Sequence, residues 1–109
     1  MSGLGALDDL LRSAQVRDNV AELRYELLAG ADVVGLIRYR REAHAVALVH
    51  TEVDLADDGR LADALIEGAL DDLRSRGLGV IPLCPCVREW MNRHDGYARL
   101  VVVDTAVPE

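Results

Sequence analysis

Three short stretches of the chain carry residue types that can do chemistry. The first is His50-Thr51-Glu52-Val53, which puts an imidazole, a hydroxyl and a carboxylate side by side at the end of an apolar run. An imidazole or carboxylate so placed can take a proton from a substrate; the two can equally satisfy each other or nearby backbone. The second is Asp57-Asp58-Gly59-Arg60, ahead of a helical pattern. A helix N-terminus offers unpaired N–H groups to an anion, and an aspartate there can also be an ordinary cap. The third is Cys84-Pro85-Cys86, between a short apolar run and a second helical pattern. A thiol at a helix N-terminus has its thiolate favoured by the dipole and the end amides, while a buried cysteine is also plain core filler. Cys84, Cys86 and His94 make a weak zinc set, since the two thiols are close together and no second cysteine pair exists. No metal is expected, and a bridge across one proline would be strained.

The elements that must position these groups follow from periodicity. Leu4, Leu7, Leu10, Leu11 and Ala14 recur at helical spacing, which predicts a short amphipathic N-terminal helix or a loosely held tail over residues 1–18, with Arg17-Asp18-Asn19 as a linker. In Ala21–Leu28, Leu23, Tyr25 and Leu27 alternate with charged residues, as in a half-buried strand. Asp32–Arg40 is a second strand, with Gly35 marking a bulge. His44–Val53 is a third, apolar enough at its centre to be buried on both faces. Short turns between them imply an antiparallel meander. Leu61, Leu65, Ala69 and Leu73 then form the stripe of a helix over 61–76, which Gly77 is placed to end. Gly79–Leu83 is a fourth strand. Pro85 suits the first turn of a second helix that buries Val87, Trp90, Met91 and His94, and Ala98–Val103 is a fifth strand. The order is β-β-β-α-β-α-β.

Composition sets the outer limits. A chain of 109 residues, 50% of them hydrophobic, supports one core and one domain. Nineteen acidic residues against 12 basic ones, a net charge of −7, argue against broad nucleic-acid binding. All the basic residues are arginine, and phenylalanine is absent, so the core rests on Leu, Val, Ile and Ala. No apolar run reaches the roughly 18 residues of a membrane span. The start of the chain lacks the basic region of a secretory signal, and the cysteines form no disulfide framework, so a cytoplasmic location is expected.

Read together, the stretches resemble one family. His50-Thr51-Glu52-Val53, an amphipathic helix, Pro82–Val87 as a P-x-C-P-x-V motif, and His94–Tyr97 near the place of an H-P-E-Y motif are similar to the small single-domain acetyltransferases of the GNAT superfamily, with Arg24-Tyr25-Glu26-Leu27 matching their opening strand. The likeness spans about residues 16–103. It implies an α+β, GNAT-like fold: a mixed sheet of about five strands with two main helices, a domain over 19–105 and an extension over 1–18. It also implies acetyl-CoA as co-substrate and an amine as acceptor. The pantetheine arm would lie where the third and fourth predicted strands splay, near His50, Thr51 and Val53. The pyrophosphate would sit at the head of the long helix, on Gly59, Arg60, Leu61 and Ala62, with His94 also on the cofactor side. Glu52 would be the base, Tyr97 the proton donor to the departing thiolate, and Cys84, where the family has a suspected reactive cysteine, would open a covalent route.

Two departures stand out. The family's phosphate loop, Q/R-x-x-G-x-G/A, falls on Asp57, Asp58, Gly59, Arg60, Leu61 and Ala62, where only Ala62 fits; a Cβ and two acidic groups oppose a close phosphate. Asp95-Gly96 stands where the family has Pro-Glu. The leading expectation is an acetyl-CoA-dependent N-acetyltransferase. The alternative is a domain that keeps the fold, has lost CoA binding and serves as an interaction module, with the N-terminal helix as its homodimer or protein contact.

Overall fold

The computed structural model describes residue 9 and residues 11–54 and 59–102. A five-stranded sheet runs in sequence order, β1 (Gln15–Asn19), β2 (Arg24–Ala29), β3 (Asp32–Arg41), β4 (Ala45–Val53) and β5 (Gly79–Pro82). The first four pair antiparallel as a meander, and β5 pairs parallel with β4. A parallel neighbour needs a crossover, and helix α1 (Arg60–Ser75) supplies it. A second helix, α2 (Pro85–Asn92), follows β5. The mixed sheet with two helices is the expected α+β fold.

Alternation along the strands gives the sheet two unlike faces. One carries Tyr25, Leu27, Ile37, Tyr39, Val46, Leu48 and Val80, buried against Leu61, Leu65, Ile66, Ala69, Leu70 and Leu73 of α1 and Val87, Trp90 and Met91 of α2. The other carries Glu26, Leu36, Arg38, His50 and Glu52 in cross-strand rows, with a small cluster of Ala45, Ala47 and Ile81. α1 ends where Gly77 takes φ +71°, a conformation that costs a side chain energy, and the Leu78 N–H donates back to the Leu73 carbonyl at 3.0 Å. The periodicity therefore located α1 to within a residue and the start of α2, which ends before His94.

Three expectations change. Arg17–Asn19, predicted as a linker, belongs to strand β1, so the boundary expected after residue 18 falls inside the sheet. This strand is held by its polar groups: Asp18 accepts the Tyr39 hydroxyl at 2.6 Å and the Arg76 guanidinium at 3.1 Å, while Arg17 and Asn19 serve the buried Glu26. Leu23 is not a core strand residue; it adopts a left-handed conformation, φ 54°, and is 43% exposed. The strand expected over Ala98–Val103 does not form across its described residues, 98–102. Asp95–Leu100 form a 3-10 turn, and beyond it Val101 alone bridges to Val80. The cause is Tyr97, whose ring packs edge-on to Trp90 at 5.1 Å and whose hydroxyl donates to Asp71 at 2.8 Å, pulling the segment onto the helices. The predicted N-terminal helix lies mostly outside the described residues; its described end, residues 11–13, is helical, and Leu11 and Ala14 pack on the core.

Candidate active site

The site begins where the sheet stops being a sheet. β4 and β5 pair only from Ala45 opposite Gly79 to Leu48 opposite Pro82. Beyond that rung β4 runs on to Val53 while the other chain leaves. Two local features cause the parting. The register slips between Arg38 and Tyr39 of β3, so Val49 is an extra residue on β4, and it is 42% exposed; such a bulge bends its strand and raises its twist. Pro82 has no N–H to continue the ladder, and the N–H groups of Leu83 and Cys84 both turn onto the Leu48 carbonyl, at 3.1 and 2.9 Å. The result is a gap with residues 49–53 on one flank and the head of α2 on the other.

Cys84 closes the helix-side floor of this gap. Its sulfur lies 3.4 Å from the Thr51 hydroxyl, and the residue is 4% exposed. It occupies the capping position of α2, with Pro85 as the first helical residue, and makes no side-chain capping hydrogen bond. Burial pushes the Cys84 thiol up, but the Thr51 hydroxyl and the N–H groups of Val87, Cys86 and Thr51 outweigh it and hold the thiol below its ordinary range. Cys86 has the opposite balance: burial, then the charges of Cys84, Glu89 and Asp63, push it up. The two cysteines are therefore distinct, one buried and more acidic than an ordinary thiol, the other exposed and less acidic.

The bulge decides which side of β4 each motif residue faces. Thr51 and Val53 fall on the helix side, with Cys84 and the core. His50 and Glu52 fall on the opposite side, beside Arg38 and Leu36 of β3. There the His50 Nε2 lies 3.3 Å from Glu52 Oε2, and the Arg38 Nε is 4.0 Å from the same oxygen; all three side chains are about half exposed. Of the residues expected to hold the cofactor from β4, Thr51 and Val53 line one side of the strand and His50 the other.

At the head of α1, Gly59 stands in the capping position with φ +106°, and among the described residues nothing lies within 4 Å of where a Cβ would stand. Ala62 is on the same turn. A cavity of about 160 Å³ runs from this turn between the two helices, lined by Gly59, Ala62, Asp63, Ile66, Cys86, Glu89, Trp90 and Arg93. The positive φ of Gly59 and the positive end of the α1 dipole suit an anionic group at this turn. Asp63 and Glu89 oppose that charge and Arg93 favours it. Sequence reading missed Glu89, Trp90 and Arg93 as lining residues. Their spacing, with Cys86, is one helical stripe that faces the stripe 59, 62, 63, 66, which was the available signal. Asp57 and Asp58 lie outside the described residues.

The structure does not bring Tyr97 or His94 to the gap. The Tyr97 hydroxyl is committed to Asp71, and the Arg74 guanidinium lies 4.9 Å above its ring. Asp71 is about 16 Å along α1 from Arg60 at 1.5 Å per residue. Burial, then the Asp71 carboxylate, push the tyrosine up, which makes it a weak acid at neutral pH. His94 is not on the buried face of α2; it follows the helix, is exposed, stacks flat on Trp90 at 3.7 Å, and its Nδ1 is 2.7 Å from the Trp90 carbonyl. Among the described residues no group of three His, Cys, Asp or Glu is placed to hold a metal, and no helix is long and apolar enough to cross a membrane.

No curated protein matches the chain. A family model for the GCN5-related N-acetyl-transferases matches residues 24–100, which runs from the first residue of β2 to the end of the 3-10 turn and takes in the gap, both helices and the cavity between them. The chain belongs to the GCN5-related N-acetyl-transferase family.

Proposed function

We propose that the protein is an acetyl-CoA-dependent N-acetyltransferase acting on an amine. The observation that carries this reading is the gap between β4 and β5, with the Cys84 thiol at its floor; the cavity between α1 and α2 is a separate space lined from the head of α1. When bound, acetyl-CoA supplies an activated acetyl thioester. The unpaired flank of β4 at Thr51 and Val53 would hold the pantetheine arm, and the head of α1 at Gly59, Arg60, Leu61 and Ala62 would hold the pyrophosphate. Holding both substrates in one place removes much of the entropic barrier to transfer. An ammonium is no nucleophile, so a base is required, and Glu52 stands on the far side of β4 from Cys84. The lowered thiol of Cys84 favours a second route, in which the acetyl group rests on the sulfur before it reaches the amine.

Calorimetric titration with acetyl-CoA and with CoA, followed by thiol release in the presence of primary amines, tests this reading. Saturable binding of both and amine-dependent release of CoA are expected. Absence of binding up to millimolar ligand would overturn it and leave the fold without its cofactor. Full activity in Cys84→Ala would eliminate the covalent route alone.

A further inference from the structure

Trp90 has a polar atom that the fold does not use. The residue is 2% exposed, and among the described residues no acceptor meets its indole N–H. The ring itself is held firmly: His94 stacks flat on it at 3.7 Å and Tyr97 packs edge-on at 5.1 Å. Neither neighbour serves the N–H. The His94 Nδ1 lies 2.7 Å from the Trp90 backbone carbonyl, and the Tyr97 hydroxyl donates to Asp71. A buried donor without a partner is rare in a folded chain and costs the free energy of a lost hydrogen bond. A ligand that brought an acceptor to it would recover that cost.

Trp90 is also a wall of the cavity between the helices, where the stripe 59, 62, 63, 66 faces the stripe 86, 89, 90, 93. Gly59 and Ala62 stand at the head of α1, the place of the donor's pyrophosphate in the acetyltransferase reading. Ile66 follows one turn along α1 and is buried, as the indole is, so the two give the cavity an apolar wall. Asp63 and Glu89 add two carboxylates. Their charges and the opposing charge of Arg93 all act on the Cys86 thiol, which gathers them around one space. At about 160 Å³ the cavity is of the size that takes a single benzene ring. Two carboxylates suit a neutral group that donates hydrogen bonds better than they suit a further phosphate.

We infer that this cavity holds the purine of the donor, an adenine, with the Trp90 N–H bonded to one of its ring nitrogens. The inference rests on the acetyl-CoA reading and assigns the nucleotide end of that site. A purine is flat and apolar on its faces, as Ile66 and the indole require. Its unprotonated ring nitrogens accept, and the exocyclic amino group of adenine donates to a carboxylate of Asp63 or Glu89. The pantetheine amides also carry an acceptor and a donor, but they run from the pyrophosphate towards the flank of β4. Adenine lies on the other side of the phosphates, which is the side of the cavity. The acidic lining beside an anionic ligand is then a means of reading its base.

The chain has one tryptophan, so the indole N–H gives a single nitrogen-15 correlated signal that needs no assignment. In wild type, CoA and adenosine 3′,5′-bisphosphate are expected to shift that signal saturably and to slow its exchange with solvent, and pantetheine is expected to leave it unmoved. Inosine 3′,5′-bisphosphate keeps the phosphates and puts a carbonyl in place of the amino donor. By calorimetry it should bind about tenfold more weakly than the adenosine form, since the lost hydrogen bond is one to a charged group. Trp90→Phe keeps a ring and removes the N–H, and should weaken the adenosine form about fivefold. The comparison of bases uses wild type, so it decides the matter even if Trp90→Phe does not fold. CoA that binds with the indole signal unmoved overturns the inference and leaves the acetyl-CoA reading standing. Equal affinity for the two bases, or a signal that follows pantetheine, overturns it in the same way. A wild type that binds no CoA overturns both.

Discussion

Replacing Thr51 by valine isolates one contact of the Cys84 thiol. Valine keeps the β-branched shape that suits β4 and leaves the N–H groups of Val87, Cys86 and Thr51 in place. Only the hydroxyl 3.4 Å from the sulfur is lost. A hydrogen bond to a charged group contributes about 1.5 kcal/mol at the low end, and about 1.4 kcal/mol is a factor of ten in the thiolate fraction. The thiolate that remains is more basic and hence more reactive. With a Brønsted slope of about 0.4–0.5, a tenfold shift in acidity returns roughly threefold in rate. The net expectation is that Cys84 alkylates about threefold more slowly in Thr51→Val, at a pH below the thiol's own midpoint. The assay is iodoacetamide labelling read by peptide mass spectrometry. Cys84 is only 4% exposed, so access limits its absolute rate; comparing one cysteine in two proteins cancels that factor. The neighbouring Cys86, which the Cys84 charge holds up, should not slow and can only gain slightly as that charge is lost. Equal or faster labelling of Cys84 in the variant would refute the role given to the hydroxyl.

Three further outcomes follow from named contacts. A Cβ on Gly68 would stand 2.4 Å from Val16 Cγ2 and 2.8 Å from its Cβ, so Gly68→Ala should push β1 off α1 and destabilise by about 1–2 kcal/mol, after roughly 1 kcal/mol of helix propensity is set against a larger overpacking cost; chemical denaturation checks this, and a stabilised variant would contradict the packing. Burial raises the Glu26 carboxyl, but Arg17, Asn19 and Arg24 outweigh it and hold it at about 2 against an ordinary 4.5; a lowered carboxyl stabilises above its unfolded value and loses that as pH falls, so the stability gap between wild type and Glu26→Gln should close between pH 4.5 and 2, from about 1–2 kcal/mol, half the full linkage value because its arginine partners are partly exposed to solvent. Asp58→Gly removes a negative charge just before the head of α1 and should tighten CoA roughly two- to fivefold, from 0.3–1 kcal/mol; weaker binding would mean that this carboxylate does not face the phosphates.

How much could be read from the chain beforehand depended on whether local pattern or distant partners set the structure. Helices α1 and α2 and strands β2 to β5 carry their own periodicity or apolar runs, and they formed within a few residues of expectation. β1 has a single apolar residue, Val16, on its inner side; its strand state comes from Asp18 reaching Tyr39 and Arg76 and from Glu26 gathering Arg17 and Asn19. No local signal predicts such pairings. Residues 98–103 look like a strand by composition, yet Tyr97 anchors the preceding turn on Trp90 and Asp71. For the site, residue types were legible but sides were not. One extra residue, Val49, sets which of His50, Thr51, Glu52 and Val53 meet the thiol, and a bulge leaves no mark in an apolar run.

The parallel pairing of β4 with β5 also has a meaning for how the protein folds and breathes. Residues 15–53 make a meander of neighbouring hairpins, whose contacts are close in sequence and quick to form. The parallel rungs Ala45–Leu48 with Gly79–Pro82 close a far longer loop and must follow. The gap therefore sits on the seam between an early unit and a late one, at the join of two cooperative segments of unequal persistence. Such a seam opens before the meander does, so amide exchange at Ile81, Leu83 and Cys84 should run ahead of exchange in β2 and β3. On the proposed reading, the same loosening would let the donor enter between the strands without unfolding the sheet that carries Thr51.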